Sequence, residues 1–359
     1  MNQTVSASFR SWLLPAGFCL ALLAGTSIAQ PTAPAATPAP AALPKVESAN
    51  IMDVGRAPNA TIEAERKANQ NQPGNNAPIW NTANSDAVNY VSIPDKQAGV
   101  LIQKSGQQWR LIRNGVITVY GAWLLALALG GILAMFILKG SIKLHEPMSG
   151  RKIKRFSLLD RIIHWTMAFS FVGLAFTGLM ILYGKYFVMP LMGGVTYGLF
   201  LLVCKNIHNF SGPLFTLSIV IFFFLFVRKN IPEKGDMAWL TGFGGMLSGK
   251  HIPAGFFNCG EKIWFWFGMV ILGLTVSASG WVLDMIVPFI AIEYWRGTMQ
   301  IADIIHSTAA LLMTAMAFGH IYIGTIGMQG SIDGMKTGYV DATWAKEHHE
   351  IWYNDLNKG

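Results

Sequence analysis

Four of the chain's eight histidines, His164, His208, His306 and His320, fall in or at the mouth of long apolar runs. An ionisable ring gains nothing from hydrocarbon, so such residues face the protein interior and mark a site or a proton path. His306 and His320 bound the stretch HSTAALLMTAMAFGH, fourteen residues apart. On a helix that separation turns about 1400°, roughly 40° short of four full turns, and rises about 21 Å. Both imidazoles therefore leave one helix face at two depths. His164 lies at the depth of His320, making an inner pair, and His208 at the depth of His306, making an outer pair. Neutral imidazole is a common metal ligand, and a pair from facing helices can grip haem iron from both sides. The pattern predicts two b-type haems stacked within a helical bundle. A proton relay through the same histidines is the competing reading. Zinc is disfavoured, because no Cys/His/carboxylate cluster gathers at one depth. His145, His251, His348 and His349, in loops and the tail, are expected to be solvated.

The elements that must position these rings are membrane spans. Of 359 residues, 52% are hydrophobic and only 13% charged, too apolar for an ordinary soluble domain. Five runs approach or exceed the ~20 apolar residues that cross a bilayer, at 116–138, 162–183, 209–227, 263–290 and 301–326. The net charge of +8 comes from basic residues beside these runs, a placement that sets membrane orientation and not nucleic-acid binding. Lys139, Lys143, Arg151, Lys152, Lys154, Arg155 and Arg161 lie between the first two spans, and Arg228, Lys229, Lys234 and Lys250 between the third and fourth. The opposite loops carry only Lys185, Lys205 and Arg296. The positive-inside rule thus places the C-terminus in the cytoplasm of a multi-pass protein of the bacterial inner membrane.

Residues 1–29 read as a secretory signal peptide, with Arg10, an apolar core and small residues at Ser27-Ile28-Ala29. Residues 30–115 form an exported periplasmic segment that opens on a Pro/Ala-rich linker. Residues 139–157 are a basic cytoplasmic linker, and 329–359 a cytoplasmic tail. Cys19, Cys204 and Cys259 stand too far apart for CxxCH haem attachment or an iron–sulfur cluster. Gly173, Gly178, Gly212, Gly268, Gly273, Gly319 and Gly324 could let helices or a porphyrin edge approach closely.

Several stretches also resemble a known family. LLDRIIHWTMAFSFVGLAFTG (158–178), IHNFSG with FVRKNIPEKGDMAWL (207–240), FNCGEKIWFW (257–266) and the run IIHSTAALL…GSIDGMKTGYVDATWAKEHHEIWY (304–353) are similar to the gamma subunit of membrane-bound respiratory formate dehydrogenase. That resemblance implies an all-α integral membrane fold. A four-helix di-haem cytochrome b bundle (158–328) would follow an extra transmembrane helix (116–138) and the N-terminal exported segment. It implies that His164, His208, His306 and His320 ligate two b haems. It also implies that Asn258, Gly260, Glu261 and Lys262 lie in a quinone pocket beside the inner haem, although relatives often carry Gln where Glu261 stands. The implied partners are an iron–sulfur beta subunit and a molybdenum- or tungsten-containing alpha subunit, with formate chemistry on that other chain. Electrons would run through both haems to membrane quinone. The related alternatives are the cytochrome b of a nickel–iron hydrogenase or a thiosulfate reductase. A proton-coupled transporter is the reading from a different class. Lys205 or Arg296 outside, and Arg155 or Arg161 inside, are the expected partners of haem propionates.

Overall fold

The computed structural model describes residues 89–90, 100–102, 104–245, 252–285 and 295–358, all within one unit, Gln70–Gly359. The signal peptide, most of the exported segment, Lys250 and His251, and the far end of the fourth span at 286–290 lie outside the described residues. Within them are five helices long and apolar enough to cross a membrane: α1 (Ser105–Lys139), α2 (Leu158–Phe187), α3 (Gly194–Asn230), α4 (Cys259–Leu283) and α5 (Arg296–Gly327). The chain is an all-α integral membrane protein. α2 packs along α3, α4 along α5, and α1 along α5.

Local chemistry sets where two of these helices begin. Ser157 and Asp160 form a reciprocal cap on α2: the serine oxygen accepts the Asp160 N–H at 3.1 Å, and the carboxylate accepts the Ser157 N–H at 2.8 Å. Asn258 and Glu261 form the same device on α4. All five helices begin earlier than hydropathy predicts, α1 and α3 by the most. α3 starts at Gly194, because GVTYGLFLLVC is itself helix-compatible and the Lys205 stem can lie along apolar surface. His208 therefore lies inside the helix and not at its mouth. α1 starts at Ser105, so the last residues assigned to the exported segment are helical. Their polar pattern gave no signal, but Trp109 and Arg113 find a partner on α5.

Met167, Phe215, Ile219, Met269, Leu272, Ala309 and Met313 form a buried core drawn from α2, α3, α4 and α5. Ala309 and Met313 lie between His306 and His320 in sequence, so this core fills the bundle between the two histidine levels. Lipid tails are as apolar as these side chains, so close packing holds such a core more than exclusion from solvent does.

The basic linker and the tail are folded together. A strand pair formed by β1 (Asn89–Tyr90) and β2 (Val100–Ile102) precedes α1. β3 (Lys152–Lys154) pairs antiparallel with β4 (Tyr339–Asp341), Ile153 opposite Val340. β4 leads into α6 (Ala342–His348) and α7 (Glu350–Leu356). Asp341 accepts from Thr343 N, Ser149 N, Ser149 Oγ and Gly150 N at 2.8–3.0 Å. Burial pushes its carboxyl up, but these four bonds outweigh that and hold it below the usual carboxylate range. Glu347 likewise gathers the backbone N–H groups of His145 and Glu146. Acidic side chains of the tail thus bind the backbone of the basic linker.

Candidate functional site: two facing histidine pairs

The histidines that share a depth also lie ring to ring. His208 on α3 and His306 on α5 have centroids 6.0 Å apart and planes inclined at 68°. His164 on α2 and His320 on α5 have centroids 6.3 Å apart and planes inclined at 56°. Two imidazoles sharing one metal ion, with bonds of about 2 Å and ~1 Å from each nitrogen to its ring centre, also stand roughly 6 Å apart. Each ring turns freely about its own bond to the metal, so neither plane angle opposes this.

The His208–His306 pair is held from behind by α2 and α4. Thr177 on α2 gives its hydroxyl hydrogen to Gly173 O at 2.7 Å, so its oxygen accepts from His208 Nδ1 at 2.8 Å. On α4, Val276 O lies 3.0 Å and Ser279 Oγ 3.1 Å from His306 Nδ1. With Nδ1 donating, each ring presents the Nε2 lone pair, the tautomer a metal needs. A Cβ placed on Gly178 would stand 3.4 Å from His208 Cε1, and one on Gly280 3.3 Å from His306 Cε1. Each ring is thus fixed through its Nδ1, His208 by one acceptor and His306 by two, and by a neighbouring helix backbone along its edge. Both histidines line a cavity of about 310 Å³, with Gly212, which has open space beside it, in the wall. Thr177, Val276, Ser279 and Gly280 were not singled out by sequence reasoning. The TG and SASG pairs of small residues were their only signal.

The other pair is built differently. His164 Nδ1 is buried without a hydrogen-bond partner among the described residues, which costs about 1–3 kcal/mol unless a further group completes the site. The indole of Trp264 stacks on His320 at 4.9 Å and 13°. Trp264 opens a ten-residue stretch of α4, Trp264–Gly273, with widened turns, a distortion frequent at functional sites.

Asn258, Gly260, Glu261 and Lys262 form the start of α4, and most of their polar atoms are committed. Asn258 Oδ1 accepts from Glu261 N at 3.0 Å, and Glu261 Oε2 accepts from Asn258 N at 2.8 Å. Lys262 is 5% exposed, and its Nζ lies 3.0 Å from Asp236 and 3.1 Å from Glu233. That ion pair, from the loop before the helix start, was not anticipated. A Cβ on Gly260 would stand 2.7 Å from the Trp239 ring, so this glycine admits an indole. Asn258 Nδ2 takes no part in these contacts, while Glu261 Oε1 faces Arg155.

Beside them, Arg155 is only 6% exposed and is ringed by Phe156, Phe256, Phe257, Trp344 and Trp352 at 4.7–5.8 Å. Its Nη2 donates to Phe256 O at 2.7 Å and to His349 Nε2 at 3.2 Å, while Glu261 Oε1 lies 3.8 Å away. Burial pulls the guanidinium down to about 10 and Glu261 partly restores it, so the group stays charged at neutral pH. His349 is 1% exposed, which overturns the expectation of a solvated tail histidine. In the folded-back tail His349 Nδ1 donates to Gly255 O at 2.9 Å, which leaves Nε2 to accept from Arg155. Burial, then the Arg155 charge, holds this imidazole well below its ordinary value, hence neutral.

The family model for prokaryotic cytochrome b561 matches residues 155–338. The cytochrome b556(fdo) subunit of formate dehydrogenase from Escherichia coli strain K12 is 28% identical over 208 residues, covering 57% of this chain and 94% of the relative. The cytochrome b556(Fdn) subunit of the nitrate-inducible formate dehydrogenase from the same strain is 28% identical over 219 residues, covering 58% and 93%. The formate dehydrogenase cytochrome b556 subunit of Haemophilus influenzae is 29% identical over 213 residues, covering 58% and 86%.

Proposed function

The chain belongs to the prokaryotic cytochrome b561 family, and from that premise we propose that it is the electron-carrying membrane subunit of a formate dehydrogenase. His208 and His306 would hold one b haem, and His164 and His320 a second. The observation that carries this reading is the two ring pairs, 6.0 and 6.3 Å apart, on opposite levels of one bundle. The names of the relatives supply the formate dehydrogenase context. When bound, the haems supply the one-electron steps that join an iron–sulfur subunit to membrane quinone.

The chain's own residues orient, insulate and exclude. Thr177, Val276 and Ser279 fix the tautomer and direction of two ligands. A haem held by two imidazoles would be suited to electron transfer and not to oxygen chemistry. The apolar core between the levels keeps water and stray charge out of the gap. Asn258 Nδ2 donates to a quinone carbonyl, and the Glu261 carboxylate at the same helix start passes it a proton. Gly260 and Lys262 shape that site through Trp239 and Asp236. The His208–His306 end is periplasmic, where formate oxidation by a molybdenum- or tungsten-containing subunit releases its proton. The His164–His320 end is cytoplasmic, where quinone takes protons up, so charge separates across the inner membrane. The exported N-terminal segment docks the catalytic subunits.

The test is the protein purified in mild detergent with whatever accompanies it. Two protohaems per chain, reduced on adding formate, with an iron–sulfur and a molybdenum or tungsten subunit present, support the reading. A hydrogenase or thiosulfate reductase subunit in their place would replace it. Asn258→Ala is expected to slow quinone reduction by about tenfold or more, the loss of one hydrogen bond to a reacting oxygen, while both haems stay. Unchanged quinone kinetics would remove Asn258 from the site.

A further inference from the structure

α1 lies outside the family match, which begins at residue 155, yet its first turns reach the cavity that holds His208 and His306. Trp109 Nε1 donates to Asp303 Oδ2 at 2.9 Å, and Arg113 Nε lies 3.6 Å from the same oxygen. Asp303 stands one helical turn before His306, so the two are neighbours along α5, and both line the cavity with Arg113. The cavity wall carries two carboxylates, Asp284 and Asp303, and two cations, Arg113 and Lys205. Asp284 is met by the neutral amide of Asn209 at 2.5 Å. Arg113 is therefore the cation that answers Asp303. An unanswered carboxylate one turn from an iron ligand favours the more positive, oxidised iron. A guanidinium on that carboxylate cancels the preference, and more strongly in low-dielectric surroundings than in water.

We propose that α1 is an electrostatic part of the His208–His306 haem site, with Trp109 and Arg113 as positioning residues that hold and neutralise Asp303 and so set that haem's reduction potential. The inference rests on the reading that these histidines hold a haem. It gives α1 a task besides crossing the membrane.

Redox titration of the haem-loaded, full-length protein tests it. The component belonging to this site is the one missing from a His306→Ala variant. Arg113→Gln is expected to lower the potential of that component, Asp303→Asn to raise it, and the double variant to return it near the parent value. The other haem stays where it was throughout. Arg113→Lys, which keeps the charge, restores the parent potential. Should Arg113→Gln fail to assemble, the upward shift in Asp303→Asn carries the test alone. Unmoved potentials overturn the proposal, and so do equal shifts in both haems. A parent protein without protohaem sinks the underlying haem reading instead, so the two failures are distinguishable.

Discussion

His306→Ala and His320→Ala are each expected to lower the protohaem content from the proposed two per chain to one, each removing a different component from the redox titration. The reason is geometric. Both residues sit on α5, yet one faces His208 at 6.0 Å and the other His164 at 6.3 Å, so losing one imidazole unmakes one site. Removing even an outer partner of a ligand costs about 10–100-fold in metal affinity, and removing the ligand itself costs more. Electron delivery to quinone should fall by at least ~100-fold in both variants, because the path needs both levels. The two differ in where it breaks. In His306→Ala the remaining haem is still reducible from the quinol side, whereas in His320→Ala the remaining haem is reducible only from the formate side. Haem content measured as the pyridine adduct, with reduction from each side, decides the matter. Two protohaems in both variants would refute the assignment.

The second large effect concerns the tail. His349→Leu leaves the buried Arg155 guanidinium with Phe256 O as its close acceptor, and a charged donor that loses a buried partner costs about 2–3 kcal/mol. We expect a lower unfolding temperature and faster proteolysis of the tail, since α6 and α7 are held over the start of α4 through this contact and through Ile351 N to Ala254 O at 3.0 Å. The parent protein should also be acid-sensitive. His349 is held well below its ordinary value of 6.5 in the folded state, so the unfolded chain binds the extra proton. Stability is therefore full above about 6.5 and declines as pH falls below it, by up to ~1.4 kcal/mol per pH unit for one proton. The variant should lose that part of the pH dependence. If parent and variant soften identically between neutral and mildly acid pH, His349 is not the group responsible.

The bundle and its histidines were legible in the chain because their signals are local. Apolar length marks a span, and the fourteen residues from His306 to His320 place two rings on one face at two levels. Resemblance along the matched stretches added the same pairing by a separate route. Helix starts were less legible. Hydropathy missed the first turns of α1 and α3, since Trp109 and Lys205 gain their place from what surrounds them and not from their own sequence window.

Apolar runs of spanning length were enough to identify a membrane protein, basic residues beside them its expected orientation, and histidine spacing enough to nominate four ligands. What surrounds those ligands was decided only in three dimensions. Trp109 and Asp303 are separated by 194 residues, as are Arg155 and His349, and no periodic pattern links such pairs. The same holds for the hydroxyls behind His208 and His306, and for Lys262, whose charge belongs to Asp236 and Glu233. Secondary structure follows from neighbours in sequence. The partner of a buried charge depends on which distant segments packing brings within about 3 Å of it, because only that closeness offsets the cost of leaving water.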